Sequence, residues 1–303
     1  MHNHMPGNDE ACEERLPQRS LKLAIVLTAV IFLAEVVGGL VSGSLALLGD
    51  ATHMLQDVVA LLLSLGAIII AGRLPSPSRT FGYHRVEIGA AVVNGFLLIV
   101  VSLMIANEAL ARFSHPRPID STVMFGVAVI GLAANLAAMY VLHGSHDLNI
   151  RSAFLHVLGD TLSSVAVIAV AIWIAITGQT FVDPLLSIAI ALLILVSSFS
   201  LLREAFRILL QFAPRDMDTE AVIRDIESVA GVDGVHNVHL WSLCSNINVL
   251  DAHVYSCETD VHRLESIKEE IKHRLEKYRF RHSTLEFECC ECGDCRIVRE
   301  LWD

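Results

Sequence analysis

Two short strings carry the residues best suited to chemistry: His53 and Asp57 in HMLQD, and His156 and Asp160 in HVLGD. Each pair is spaced i, i+4, which on a helix puts both side chains on one face a single turn apart. Both strings lie in long apolar stretches, where an ionisable side chain costs about 2.5 kcal/mol or more even on insertion scales. Such residues need partners and are functional candidates by default. Two of these faces opposed supply two imidazoles and two carboxylates, a tetrahedral set whose mixed nitrogen and oxygen donors favour zinc over magnesium or calcium. One HxxxD alone is equally served by a helix-face hydrogen bond or a proton relay. Two copies in separate stretches favour a metal ion.

The elements that must hold these residues are membrane spans. Of 303 residues, 53% are hydrophobic and 18% charged, with a mean hydropathy of +0.55, too apolar for a water-soluble globule of this length. Six stretches suffice to cross a hydrocarbon core: Leu21 to Val41, Leu45 to Ala71, Ile88 to Ala111, Val123 to Leu142, Phe154 to Thr177 and Phe181 to Leu202. Near their ends one side carries Arg15, Arg19, Lys22, Arg73, Arg79, Arg85, Arg151, Arg203 and Arg207, and the other only Arg112 and Arg117. This asymmetry predicts both termini in the cytoplasm. The first twenty residues are polar and acidic, so no removable signal peptide is expected. The net charge of −11 lacks the basic footprint of nucleic-acid binding. Six of the seven cysteines follow residue 240 and read as thiols of a reducing compartment.

After Arg207 the composition changes: residues 207–303 hold 12 basic and 19 acidic residues, a net of −7, and no spanning stretch. Asp218 is a plausible N-cap for a helix through Val229. Val235 to Leu243 and Ile247 to Tyr255 pattern as strands, Asp260 to Tyr278 as an amphipathic helix, and Ser283 to Glu288 as a third strand. The expected fold is an all-α six-helix transmembrane bundle with a C-terminal cytoplasmic α+β domain of order αββαβ, helices on one face of the sheet. The expected divisions are a tail 1–20, a membrane domain 21–206 and a cytoplasmic domain 207–303.

The chain resembles the cation diffusion facilitators, in particular bacterial zinc exporters of the CzcD and ZitB kind. The resemblance rests on SLALLGDATHMLQD (Ser44 to Asp57), FGYHRVE (Phe81 to Glu87), LNIRSAFLHVLGDTLSS (Leu148 to Ser164), DPLLS (Asp183 to Ser187) and HNVHLWSL (His236 to Leu243). It implies that His53, Asp57, His156 and Asp160 form the transport site, with His53 favouring zinc over cadmium. It also implies a metallochaperone-like, metal-binding and dimer-forming cytoplasmic domain, a homodimer, and a place in the bacterial inner membrane.

By the same resemblance His239, His253, His282 and Glu288 are expected cytoplasmic ligands, with His236 a substitute, although Asn237 stands where the family string usually has Asp. The alternative is an ordinary run of polar strand residues. Cys289, Cys290, Cys292 and Cys295 in CCECGDC offer thiolates to another ion, which His2, His4 or Cys12 could complete. Unliganded surface thiols are the alternative. Arg85 and Glu204 are expected to form a charge interlock at the feet of spans three and six, on the pattern of relatives. His84 reads as solvated beside Arg79 and Arg85, and His143 and His146 as a passing contact for ions. Glu35, Asn94, Asn107, Glu108 and Asn135 either pair between helices or line a water-filled path. Asp50 is placed to relay ions towards the site. Gly39 and Gly43 form a small-xxx-small pair suited to close helix contact.

The function expected is zinc efflux driven by proton exchange, because ligand protonation and metal binding exclude one another. Alternatives are export of cobalt, nickel, cadmium or iron, which raw affinity does not separate from zinc, and a membrane metal sensor without flux. An enzyme is not expected. There is no HExxH, and no three-ligand zinc centre with an open position for water.

Overall fold

The long apolar stretches fold as helices because in lipid every backbone polar group must be satisfied within its own segment. The computed structural model describes residues 18–71, 76–142, 148–215, 217–245 and 247–288. The membrane helices are α1 (Gln18–Ser42), α2 (Leu45–Ala71), α3 (His84–Ser114), α4 (Ser121–Leu142), α5 (Leu148–Thr177) and α6 (Val182–Leu209). Among the described residues, His84–Ser114, Ser121–Met139, Val157–Thr177 and Val182–Leu209 are long and apolar enough to cross a membrane, and α1 adds the apolar stretch Thr28–Ser42. Several helices outrun their apolar stretches, α5 beginning at Leu148 rather than Phe154. Helix α3 begins at His84 rather than Ile88, with Glu87 in its first turn and Arg112 in its last, each matched to the helix dipole. Helix α6 runs past Leu202 to Leu209 and so takes in Arg203, Glu204 and Arg207. Backbone hydrogen bonds continue where hydropathy stops.

The described residues form two compact units, one within 1–69 and 97–196 and the other within 70–96 and 197–303. In the first, Ala46 and Leu47 of α2 pack with Met124 and Ala128 of α4 and Val167, Ala171 and Ile174 of α5. Leu98 of α3 packs with Ile190 and Ile194 of α6. The outside is apolar: Val26, Val30, Leu33, Val37 and Leu40 make one exposed stripe along α1, as a lipid-facing helix requires. Gly39 fits the close contact expected of it, since a Cβ there would stand 2.7 Å from the Leu48 side chain. Gly43 does something else. Its φ of +73° turns the chain in the left-handed region after α1.

In the second unit, Ile88 at the foot of α3 packs with Ala205 and Ile208 at the foot of α6. The rest is the C-terminal domain: α7 (Thr219–Glu227), β1 (Gly234–Cys244), β2 (Ile247–Tyr255), α8 (Val261–Leu275), a 3-10 turn (Glu276–Tyr278) and β3 (Phe280–Glu288). This is the expected αββαβ order. Asp218 caps α7 by accepting from Glu220 N at 3.0 Å, and Asp260 caps α8 by accepting from His262 N at 2.9 Å. The sheet order is β1-β2-β3, antiparallel then parallel. Alternate residues Leu250, Ala252 and Val254 of β2 meet Val222, Ile223 and Ile226 of α7 and Ile267, Ile271 and Leu275 of α8. The helices therefore cover one face, and the residues between, Asp251 and His253, point to the other.

Candidate metal centres

The i, i+4 spacing on α2 brings His53 Nδ1 to 3.8 Å from Asp57 Oδ2. Helix α5 supplies the next donor, with Asp160 Oδ1 at 3.5 Å from the same nitrogen. One donor atom from each of the three residues lies within 4.8 Å of the others, and all three residues are partly exposed. His156 stands on α5 one turn before Asp160; its side chain lies outside the described residues. An imidazole and two carboxylates from two helices, reachable by solvent, can bind a divalent cation or exchange protons.

A second carboxylate organises α2 and escaped the sequence reading, which treated DPLLS only as a string of resemblance. Asp183, in the first turn of α6, is fully buried. It accepts hydrogen bonds from Ser44 Oγ at 2.5 Å, Leu45 N at 2.9 Å and Ala46 N at 3.2 Å. These are orphan donors of the start of α2, where the helix dipole also favours an anion. Arg112 Nη1 lies 3.9 Å from Asp183 Oδ2 and donates to Gly43 O at 2.5 Å. The only signal in the sequence was a carboxylate beside Pro184 at the head of an apolar helix.

The weaker candidates divide. Glu35, Asp50 and Asn94 are buried. Asn135 Nδ2 donates to Ser164 Oγ at 3.4 Å, whereas Asn107 is exposed and Glu108 pairs with Arg112 and Arg117. His84 opens α3, and among the described residues it joins no group of three metal-ligating side chains. Glu204 pairs with Arg215 at 3.8 Å, and no ion pair joins it to Arg85 among the described residues. The extension of α6 carries Glu204 towards the turn after it, where Arg215 is the nearer cation.

In the C-terminal domain His236, His253 and Glu288 bring one donor atom each within 4.8 Å of the others. His253 Nδ1 donates to Glu288 Oε1 at 2.7 Å. His236 Nε2 lies 3.1 Å from Glu288 Oε2 without the alignment of a hydrogen bond. The expected quartet of His239, His253, His282 and Glu288 is not what converges. A bulge in β1 is the reason. Asn237, at φ 49°, interrupts the register between His236 and His239, so His236 is the residue that pairs with His253. Asn tolerates that left-handed backbone. Its Nδ2 donates to His253 Nε2 at 3.1 Å, and its Oδ1 accepts from His239 Nε2 at 3.2 Å. Among the described residues, His239 thus reaches the cluster through Asn237. His282 pairs with Val249 and sets its ring edge-on to Phe81 at 5.5 Å. It is four residues along β3 from Glu286, the partner of His253, roughly 13 Å at strand rise. Cys289, Cys290, Cys292, Cys295, His143, His146, His2, His4 and Cys12 lie outside the described residues.

The cation efflux transmembrane domain matches residues 21–210, and the cytoplasmic domain of cation efflux proteins matches residues 214–290. The chain belongs to the cation efflux family. Its relatives include the metal cation efflux system protein CzcD of Cupriavidus metallidurans, 42% identical over 96% of this chain and 90% of the relative. The zinc transporter ZitB of Escherichia coli is 40% identical over 97% and 93%. A protein of Bacillus subtilis named as a cadmium, cobalt and zinc/H(+)-K(+) antiporter is 37% identical over 95% and 91%. The family is one of integral membrane transporters, not enzymes, so the enzymatic alternative falls away. The residues of α2 and α5 described above lie within the matched transmembrane domain, and those of the β1-β2-β3 sheet within the matched cytoplasmic one.

Proposed function

We propose that this protein exports zinc from the cytoplasm in exchange for protons, through a site made by His53, Asp57, His156 and Asp160. The observation that carries this is the convergence of His53, Asp57 and Asp160 from α2 and α5, with His156 one turn from Asp160 on the same helix. Deprotonated ligands take the ion on the cytoplasmic side, and protons arriving from the other side release it, since each ligand holds either a proton or the metal. The names of the ZitB relatives support zinc as cargo, and the antiporter name of the Bacillus relative supports proton exchange. Cadmium and cobalt, also in that name, are the rival cargoes.

On this reading both termini face the cytoplasm of a bacterial inner membrane, and the protein works as a homodimer through its C-terminal domain. Zinc at His236, His253 and Glu288, with the cysteines that follow, is then a regulatory ligand as well as cargo. It favours whichever arrangement of the dimer binds it better. The test is zinc flux into proteoliposomes under an imposed pH gradient. Asp57→Ala and Asp160→Ala abolish it while zinc-dependent changes in the C-terminal domain persist. Flux near wild type in either variant ends the four-ligand reading, and flux independent of the pH gradient ends proton exchange. A metal sensor would show binding without flux in the unaltered protein.

A further inference from the structure

One helical turn from the transport residues, towards the end of the bundle where α2 begins, a second polar layer crosses the same unit. Asp50 precedes His53 by three residues on α2, and Ser163 follows Asp160 by three on α5, a rise of about 4.5 Å in each helix. The two are joined, Ser163 Oγ donating to Asp50 Oδ1 at 2.5 Å. Glu35 of α1 enters the same layer. It is 2% exposed, and its Oε2 has no hydrogen-bond partner among the described residues. Its other oxygen occupies space that Gly131 of α4 leaves open: a Cβ there would stand 2.9 Å from Glu35 Oε1 and 3.7 Å from Ser164 Oγ. Asn135, one turn on from Gly131, donates to Ser164 Oγ and completes the layer from α4.

Helices α1, α2 and α5 therefore turn oxygen donors towards one buried place, and Asn135 of α4 hydrogen-bonds one of them. Helices α2 and α4 contain no Lys or Arg, and those of α1 and α5 stand in the first turns, at the far end. An isolated buried acid is costly unless paired or coordinating a metal. A merely structural Glu35 would be expected to spend both oxygens on donors, yet one is bare. The donor set also differs in kind from the layer beside it, which contains imidazole. Carboxylate and hydroxyl oxygens hold zinc less selectively than nitrogen does, and suit a partly hydrated ion.

We propose that Glu35, Asp50, Ser163 and Ser164 form a second, all-oxygen station that receives the divalent cargo from His53, Asp57 and Asp160 on its way out. This rests on the transport reading above. The ion passes from a tighter nitrogen-containing site to a weaker one from which water removes it, so the outer layer speeds release and leaves capture to the inner one.

The test uses the full chain with Co2+ as probe, because tetrahedral Co2+ absorbs strongly in the visible and octahedral, oxygen-bound Co2+ weakly. Glu35→Gln keeps shape and removes the charge. It should lose the weakly held ion in equilibrium dialysis, keep the tetrahedral band, and lower maximal zinc flux roughly 10- to 100-fold, the usual effect of a lost ligand or its support. The zinc concentration giving half-maximal flux should stay put. Gly131→Ala, which removes no donor but crowds Glu35, should lower flux in the same sense. It decides the matter if Glu35→Gln loses the tetrahedral band through misfolding. Unchanged ion count and flux overturn the station, and so does lost flux with no lost ion, which would leave the layer a carrier of protons or of helix contacts. Asp57→Ala separates the two readings. If that variant still transports, the transport site itself is wrong whatever Glu35 does.

Discussion

Removing the Asp183 carboxylate should loosen the helix that carries His53 and Asp57. In Asp183→Ala, Ser44 Oγ, Leu45 N and Ala46 N lose their acceptor in a fully buried setting, and Arg112 loses one of its two anions, keeping Glu108 at 3.3 Å. A lost N-cap costs about 0.5–2 kcal/mol. Each buried donor left unsatisfied costs about 1–3 kcal/mol, and removing one partner of a buried ion pair about 3–5 kcal/mol. These describe the same event from three sides and do not add, so the expected loss is about 3–5 kcal/mol. Asp183→Asn keeps the shape and one acceptor and should cost less, about 1–3 kcal/mol, chiefly the charge-assisted part. Equilibrium unfolding of the purified protein in mixed micelles measures both. A cycle with Arg112→Met isolates the ion pair, because Arg112 also donates to Gly43 O and has a role of its own. If Asp183→Ala unfolds within about 0.5 kcal/mol of wild type, as surface changes usually do, the interlock does not hold α2. Flux should follow stability only in part, since a frayed first turn shifts His53 relative to Asp160.

Three other outcomes are expected. Glu288→Gln or His236→Ala should weaken zinc binding by the C-terminal domain roughly 10- to 100-fold, and His282→Ala should not. Competition against a chromophoric chelator in an Asp57→Ala background measures this, and equal losses in all three variants would show that the bulged register is wrong. His53→Asp should widen transport towards cadmium, since a third carboxylate relaxes both the size and the softness criteria; an unchanged zinc to cadmium flux ratio contradicts it. Asp225 accepts from Lys277 Nζ at 2.6 Å and from the Tyr278 hydroxyl, which together hold its carboxyl below the usual carboxylate range. A carboxyl depressed in the folded state adds stability above its ordinary range, and loses it as pH falls through the depressed value. Protection factors of the α7 amides, taken relative to the intrinsic exchange rate at each pH, should therefore fall on acidification in the wild type, and Asp225→Asn should flatten that dependence.

Much of the fold was legible because its signals are local. The β2 strand runs from Ile247 to Tyr255 as its alternation predicts, and Asp218 caps α7 as its position before an amphipathic stretch predicts. Where elements outran expectation, as α3 and α6 did, polar residues continued a helix whose apolar stretch had ended. The C-terminal ligand set was legible only by residue type. The resemblance points to His239 ahead of His236, and nothing in HNVHLWSL announces the bulge, although one residue inserted in a strand exchanges which side chains share a face.

The residues proposed for transport, and their spacing along each helix, follow from the sequence alone, since i, i+4 spacing in an apolar stretch fixes both the face and the cost of leaving it unpartnered. Which faces meet does not. Ser163 reaches Asp50 across 113 residues and Ser44 reaches Asp183 across 139. Such contacts depend on how whole helices pack, through small residues such as Gly39 and Gly131 that allow close approach and carry no chemistry of their own. Periodicity along one chain states what each helix offers to its neighbours. Only the tertiary structure decides which neighbour takes it, because that choice is made by shape and burial summed over many residues, not by any short string.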